Sequence, residues 1–309
     1  MNIIDLFSGC GGFSKGFLDE GFKIVGAIEN FKPVAKTYIY NISDKVWVDD
    51  IKNIPPKAFE SFINSNVDII IGSPPCEPFT KANIMVKDNP LDRLYKDKRG
   101  RLVLYFIDYV RYFSEKNDNI IFIMENVPQI KEIKDELERL FGELGFDIYL
   151  NILRAEDYGN PSIRARAFIS NIKLKPKKLN KFVVVEEALK NIPKNAKNHE
   201  IKKLSKDKLE KIKNLKFGEA LYKYRGKSKL MHNWIRLNPK KLAPTVKGKT
   251  RFIHPYEDRL LTVREQARLM SYPDDFVFFG GREVQYNQIG ESVPPVLSRA
   301  IAKYIKERL

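Results

Sequence analysis

In this 309-residue chain, a cysteine set behind two prolines is the position whose surroundings most invite chemistry. The segment Gly72-Ser73-Pro74-Pro75-Cys76-Glu77-Pro78-Phe79-Thr80 fixes the backbone just ahead of the thiol, because proline locks φ. A rigidly aimed thiol is either a small buried filler or a nucleophile, and as a nucleophile it needs a positive field to favour the thiolate. Met124-Glu125-Asn126-Val127 ends an apolar run. A partly buried Glu125 there suits a proton donor; the alternative is a carboxylate satisfied by backbone N–H groups. Arg164 and Arg166 stand two apart in an extended segment. Alternation puts both on one face, where they can hold a phosphate, or a carboxylate together with a substrate carbonyl.

A second group of residues reads as a ligand cradle. In Asp5-Leu6-Phe7-Ser8-Gly9-Cys10-Gly11-Gly12 a strand runs into glycines and then a helix. Such a turn admits close approach of a ligand to backbone, and the helix start offers free N–H groups. The spacing is not the GxGxxG dinucleotide pattern, which disfavours a nicotinamide enzyme. Glu29 ends the next strand, about 20 residues on, where an acid binds ribose hydroxyls; an N-cap or surface role is the other reading. Asp50, after a possible short strand, could read an exocyclic amine.

These side chains need a scaffold. Residues 2–7, 22–29, 67–73 and 119–126 read as strands, and 101–113 has helical length and period. A helix also follows the glycine turn, to about Glu20. Strands alternating with helices predict a parallel sheet with crossover helices, and near-continuous apolar strands predict burial on both faces. From Lys173 to about Lys249 the chain is dense in Lys and weak in periodicity; Lys202–Lys216 reads as an exposed charged helix. Order returns at 262–273, a helix opened by a Thr262/Glu265 capping box, and at 293–309, an amphipathic helix after two prolines.

Composition bounds the partners. Lys and Arg number 55 against 39 Asp and Glu, a formal charge of +16. That excess fits a polyphosphate partner better than a balanced thermophilic surface. Two cysteines are too few for a disulfide framework or a cysteine-rich zinc site, and a reducing compartment fits. No run approaches the roughly 20 apolar residues of a membrane span, and the first residues read as a buried strand, not a leader.

Taken together and in order, the segments resemble the cytosine-5 DNA methyltransferase family. DLFSGCGGF is similar to its S-adenosylmethionine motif, GSPPCEPFT to its catalytic Pro-Cys loop, MENV to its Glu-Asn-Val motif and RAR to its Arg-x-Arg motif. LLTVREQARLMSYPDDF and QIGESVPP match the last two, and RLNPKKLAPTVKG resembles its Thr-Val element. The likeness implies an α/β, Rossmann-like domain (1–172), a smaller irregular target-recognition domain (173–282), and a C-terminal helix (283–309) returning to the first.

It further implies a monomeric, cytoplasmic prokaryotic enzyme acting on double-stranded DNA, with no metal and no membrane, and a separately encoded restriction endonuclease as a possible partner. Cys76 would attack carbon 6 of a flipped cytosine, Glu125 would engage ring nitrogen 3, and Arg164 and Arg166 would orient Glu125 and the base carbonyl. S-adenosylmethionine would be held by Phe7, Gly9, Gly11, Glu29, Asp50, Ile51, Pro75, Leu102, Ser292 and Val293. Three positions depart from the pattern: Glu77 and Glu291 stand for Gln and Asn, and Ser162 for Gln. A related tRNA cytosine-5 methyltransferase family shares the Pro-Cys loop, but residues 173–250 lack its Cys-Phe-Thr motif. A non-enzymatic binding module is disfavoured by the retention of Cys76, Glu125, Arg164 and Arg166 together.

Overall fold

The computed structural model describes residues 1–80, 83, 85–225 and 230–308. The chain opens with β1 (Asn2–Leu6), α1 (Gly12–Asp19), β2 (Lys23–Ile28), α2 (Lys32–Asn41), β3 (Val46–Trp47), α3 (Pro56–Ile63) and β4 (Ile69–Gly72). Next come α4 (Pro90–Tyr95), α5 (Leu102–Ser114), β5 (Ile121–Asn126), α6 (Lys134–Gly142), β6 (Tyr149–Arg154) and β7 (Ala165–Ser170). The remainder holds α7 (Val185–Leu189), α8 (Lys206–Lys213), β8 (Ala220–Arg225), β9 (Leu230–Arg236), β10 (Phe252–Ile253), α9 (Val263–Arg268), α10 (Arg282–Glu291) and α11 (Pro295–Lys306).

Among the described residues, seven strands form one sheet in the order β3-β2-β1-β4-β5-β7-β6. The first five positions are parallel; β7 runs antiparallel to both β5 and β6. The strands expected from the apolar runs are all present, shorter at their ends. Their continuity has the expected cause. Ile4, Leu6 and Ile70 face one buried layer with Phe59 of α3, Phe106 of α5 and Leu137 of α6. Ile3, Ile69 and Ile71 face the other, with Phe13 and Phe17 of α1 and Leu297 and Ile301 of α11.

Two consequences of this topology position the site. Strand order reverses between β1 and β4, and α/β sheets open their ligand crevice at that switch point, beyond the carboxyl ends of the strands. The loops after β1 and β4 carry the glycines and Cys76. Because β7 is antiparallel, its first residues lie beside the end of β5, with Ala167 opposite Asn126 and Phe168 opposite Glu125. The Arg164/Arg166 segment therefore reaches the same edge.

The Lys-rich region forms its own small sheet, β10-β9-β8, over a third core that includes Val185, Leu237, Val246, Phe252, Leu261, Met270, Phe276 and Ile289. α8 is the exposed charged helix expected there, burying only Ile212. Thr262 and Glu265 form the expected capping box: the hydroxyl accepts from the Glu265 N–H at 3.2 Å and the carboxylate from the Thr262 N–H at 2.7 Å.

Candidate active site

The glycine loop after β1 is held in a backbone that few sequences tolerate. Phe7, Gly9 and Gly11 have φ of 58°, 55° and 95°. A positive φ at a bulky residue such as Phe7 is a strained state that clusters at ligand sites. Glu29 fixes the loop from β2: one carboxylate oxygen accepts the Gly9 N–H at 3.0 Å, the other the Phe31 N–H at 2.8 Å. Withdrawal from water pushes its carboxyl up, against the pull of these N–H donors. Gly12 carries no Cβ for a steric reason. One would stand 2.3 Å from the Val293 carbonyl and 2.4 Å from the Tyr272 hydroxyl, so Ser292 and Val293 lie directly on the loop.

The other cradle residues spread along the same edge. Asp50, beyond β3, accepts the Lys52 N–H at 3.1 Å and pairs with its ammonium at 2.9 Å; it caps a single helical turn that buries Ile51. Leu102 starts α5 and, like Phe7, packs against the first core. Pro75 lies in the neighbouring loop. The cradle can take a polar ligand: the Ser8 hydroxyl is buried without a partner, and a Cβ on Gly9 would meet only open space. Among the described residues no cluster of His, Cys, Asp and Glu suits a metal ion.

Cys76 sits on a stapled loop. The Asn126 side chain, wholly buried at the end of β5, donates to the Pro74 carbonyl at 3.1 Å and accepts the Val127 N–H at 2.9 Å. The Cys76 carbonyl accepts the Phe79 and Thr80 N–H groups, both at 3.0 Å. Beside it, Arg166 Nε meets Glu125 Oε1 at 2.9 Å, with both side chains largely buried. Burial pushes the Cys76 thiol up to about 11; Arg166 pulls it down most, then Arg164, while Glu125 and Glu77 oppose them. In the free protein only on the order of 10⁻⁴ of the thiol is ionised at pH 7. Iodoacetamide labelling of Cys76 is accordingly expected to rise about tenfold per pH unit from 7 to 10; a plateau near pH 8 would refute this, and Cys76→Ser identifies the site.

The arginines share an edge but not a task. The expectation that Arg164 orients Glu125 and the base carbonyl is corrected by its contacts. Its guanidinium, fully buried, donates to the carbonyls of Val246 (2.9 Å), Gly290 (3.1 Å) and Ser292 (2.7 Å). It clasps the small sheet's loop and the α10–α11 junction to β7. Among the described residues, Arg166 alone pairs with Glu125. The departures are also unlike one another. Ser162 is interior, accepting from Asn160 Nδ2 at 2.9 Å. Glu77 is exposed. Glu291 ends α10 near Gly248, its carboxyl pushed up by lost hydration and by Glu77 and Glu29, against Arg164 and Lys249.

Two contributors escaped the sequence reading. Tyr272, at the Gly12 face, meets the Cys10 thiol at 3.1 Å, and Cys10 is buried with its thiol pushed up to about 12. Asp5 lies under the loop, bonded to Ser14. Tyr272 lay inside a quoted motif and Asp5 began one, but neither spacing nor periodicity marks a contact between residues so far apart in the chain.

A doubly wound sheet with a glycine cradle and a thiol–carboxylate–guanidinium group at its switch point defines a methyltransferase-like fold, and comparison with known proteins agrees. The family described as C-5 cytosine-specific DNA methylase matches residues 1–307. M.MJ0563P of Methanocaldococcus jannaschii, named as a candidate type II methyltransferase, is 79% identical over 310 residues, covering 100% of both chains. The type II methyltransferase M.DdeI of Desulfomicrobium norvegicum is 31% identical over 379 residues, covering 99% of this chain and 88% of that one. The crystal structure of a candidate DNA modification methyltransferase from an E. coli prophage superposes with a TM-score of 0.79 at 25% identity, over 99% of each chain. S. pombe Dnmt2 shares the fold, with a TM-score of 0.70 at 17% identity over 100% of this chain and 99% of that one. This chain belongs to the C-5 cytosine-specific DNA methylase family and is a DNA cytosine-5 methyltransferase of type II kind.

Proposed function

We propose that the protein methylates carbon 5 of a cytosine flipped out of duplex DNA, through a covalent bond between Cys76 and carbon 6. The observation that carries this reading is the grouping of Cys76, Glu125 and Arg166 at one sheet edge, with the 2.9 Å Glu125–Arg166 pair beside the thiol. Flipping exposes a base to chemistry that the stacked duplex denies. The Cys76 thiolate adds to carbon 6, and the electron pair displaced from the ring moves toward nitrogen 3, where Glu125 donates a hydrogen bond or proton. Arg166 holds Glu125 and the developing charge. Carbon 5 then carries the electron pair that takes the methyl; loss of its proton and expulsion of the Cys76 sulfur restore the ring.

S-adenosylmethionine, when bound, supplies an electrophilic methyl. Phe7, Gly9, Gly11 and Glu29 would hold its amino-acid and ribose parts, Asp50 and Ile51 its adenine, and Pro75, Leu102, Ser292 and Val293 the walls. The unpartnered Ser8 hydroxyl and the open face of Gly9 support that fit.

Residues 173–282 serve as the target-recognition domain in this reading, between a catalytic domain at 1–172 and a returning segment at 283–309. No Asp or Glu lies between Glu219 and Glu257, so this stretch offers phosphates cations without competing anions. The enzyme works as a monomer on DNA in the cytoplasm, and the type II names of its relatives support a modification role beside a separate restriction endonuclease. Among the described residues no helix is long and apolar enough to cross a membrane.

The test is trapping on duplex DNA with 5-fluorocytosine at the target, since fluorine blocks the final proton loss. The wild-type protein is expected to form a cofactor-dependent covalent adduct and Cys76→Ser none. An adduct that survives the substitution, or forms without cofactor, would overturn the mechanism.

A further inference from the structure

Asp5 is a buried carboxyl that the proposed mechanism leaves unused. It lies on β1 just ahead of the glycine loop, 1% exposed. Ser14 of α1 donates to its Oδ2 at 2.6 Å, and the Ser14 oxygen meets the Tyr38 hydroxyl of α2, also at 2.6 Å. With the Ser14 proton committed to Asp5, Tyr38 donates to Ser14, and the three form a chain that ends inside the second core. The charged group facing Asp5 is Glu29, at the end of β2, and its charge has the same sign. A carboxyl surrounded by neutral hydroxyls and a like charge gives up its proton reluctantly.

We propose that Asp5, backed by Ser14 and Tyr38 and facing Glu29, makes cofactor binding sensitive to the ligand's sulfonium charge, releasing a proton when S-adenosylmethionine binds and keeping it when S-adenosylhomocysteine binds. This rests on the cofactor reading above. The two ligands share adenosine and amino-acid parts; one carries a positive sulfur and the other a neutral one. A positive charge brought into a weakly screened cleft favours the anion behind the loop. The proton leaves Asp5 for bulk buffer, so charge is conserved across the binding step. Burial, chiefly, pushes the Asp5 carboxyl up to about 8 in the free protein, which places the release in the neutral range. By linkage, affinity for the sulfonium ligand then rises with pH up to that value and flattens above it. The spent product gains nothing over the same range, so the donor is favoured over the product as pH approaches 8.

Calorimetric titration of the full-length protein with each ligand, in buffers of unequal ionisation enthalpy from pH 6 to 9, tests this. Expected are net proton release with S-adenosylmethionine only, and an affinity that climbs with pH by at most about tenfold per unit. Asp5→Asn should abolish release and slope while keeping the affinity for S-adenosylhomocysteine. Ser14→Ala keeps the carboxyl but removes a donor that favours its anion, so the slope should extend to higher pH. Equal proton inventories for the two ligands, or release that survives Asp5→Asn, would overturn the proposal. If Asp5→Asn fails to fold, an unmoved slope in Ser14→Ala overturns it instead. Failure of both ligands to bind would sink the cofactor reading itself, and the proposal with it.

Discussion

Arg164→Met is expected to destabilise the protein by about 3–5 kcal/mol, because several carbonyls lose the one guanidinium that serves them. Three carbonyls, the buried ones of Val246 and Gly290 and the partly buried one of Ser292, lose their donor together. Each buried acceptor left unpaired costs about 1–3 kcal/mol, and methionine fills the volume without offering an N–H. Arg164→Lys should fall between, because an ammonium lacks the planar fork that spans separate acceptors. Urea denaturation measures the loss. A catalytic Arg164 would behave oppositely, with unchanged stability and a collapsed kcat. That outcome would restore the role first expected of it and remove the clasp.

Arg166→Leu is expected to cost stability, because it leaves Glu125 buried without its partner, and, in the protein that remains folded, to lower kcat by roughly 10²–10⁴-fold, the range for losing positioned acid–base and electrostatic assistance. Two effects combine. Glu125 loses its 2.9 Å partner, so its orientation toward the base is no longer set. Cys76 loses the cation that most lowers its pKa, so the thiolate becomes scarcer. Both act after substrates are bound, and KM for S-adenosylmethionine should barely move. Single-turnover methylation with pH-dependent labelling of Cys76 separates the parts. Labelling that is no slower than wild type would show that Arg166 does not supply the field at sulfur.

What the sequence revealed was local. Pro74 and Pro75 announce a stiff loop wherever they fall, and the Ile69–Ile71 run needs only its own burial to read as a central strand. The Glu125–Asn126 pair was placed well because it ends such a strand. The antiparallel β6–β7 pair was less legible, since β6 is half exposed and its pairing is set by a partner more than ten residues away. Arg164 misled for a related reason. Alternation fixes the face of a side chain, but its three acceptors come from residues 246, 290 and 292, which folding alone brings together. The small sheet was faint because Tyr222, Lys223, Tyr224 and Arg225 of β8 are all exposed, leaving no alternation to detect. The burial of Asp5 is equally non-local: α1 and α2 must both be in place to cover it.

The packing of α1 on α11 bears on how the molecule is made. Gly16 has no room for a side chain, since a Cβ would lie 2.2 Å from the Arg299 backbone nitrogen, and Ser298 donates to the Phe13 carbonyl. Lys306 reaches back to the Glu20 carbonyl at 2.6 Å. The helix that follows the glycine loop is thus backed by residues near position 300. During vectorial synthesis the amino-terminal strands emerge first and can pair early, but the loop they support stays uncovered until α11 leaves the ribosome. Chains not yet extended through α11 therefore carry the nucleophile without a finished cradle, and competence awaits the docking of that one helix.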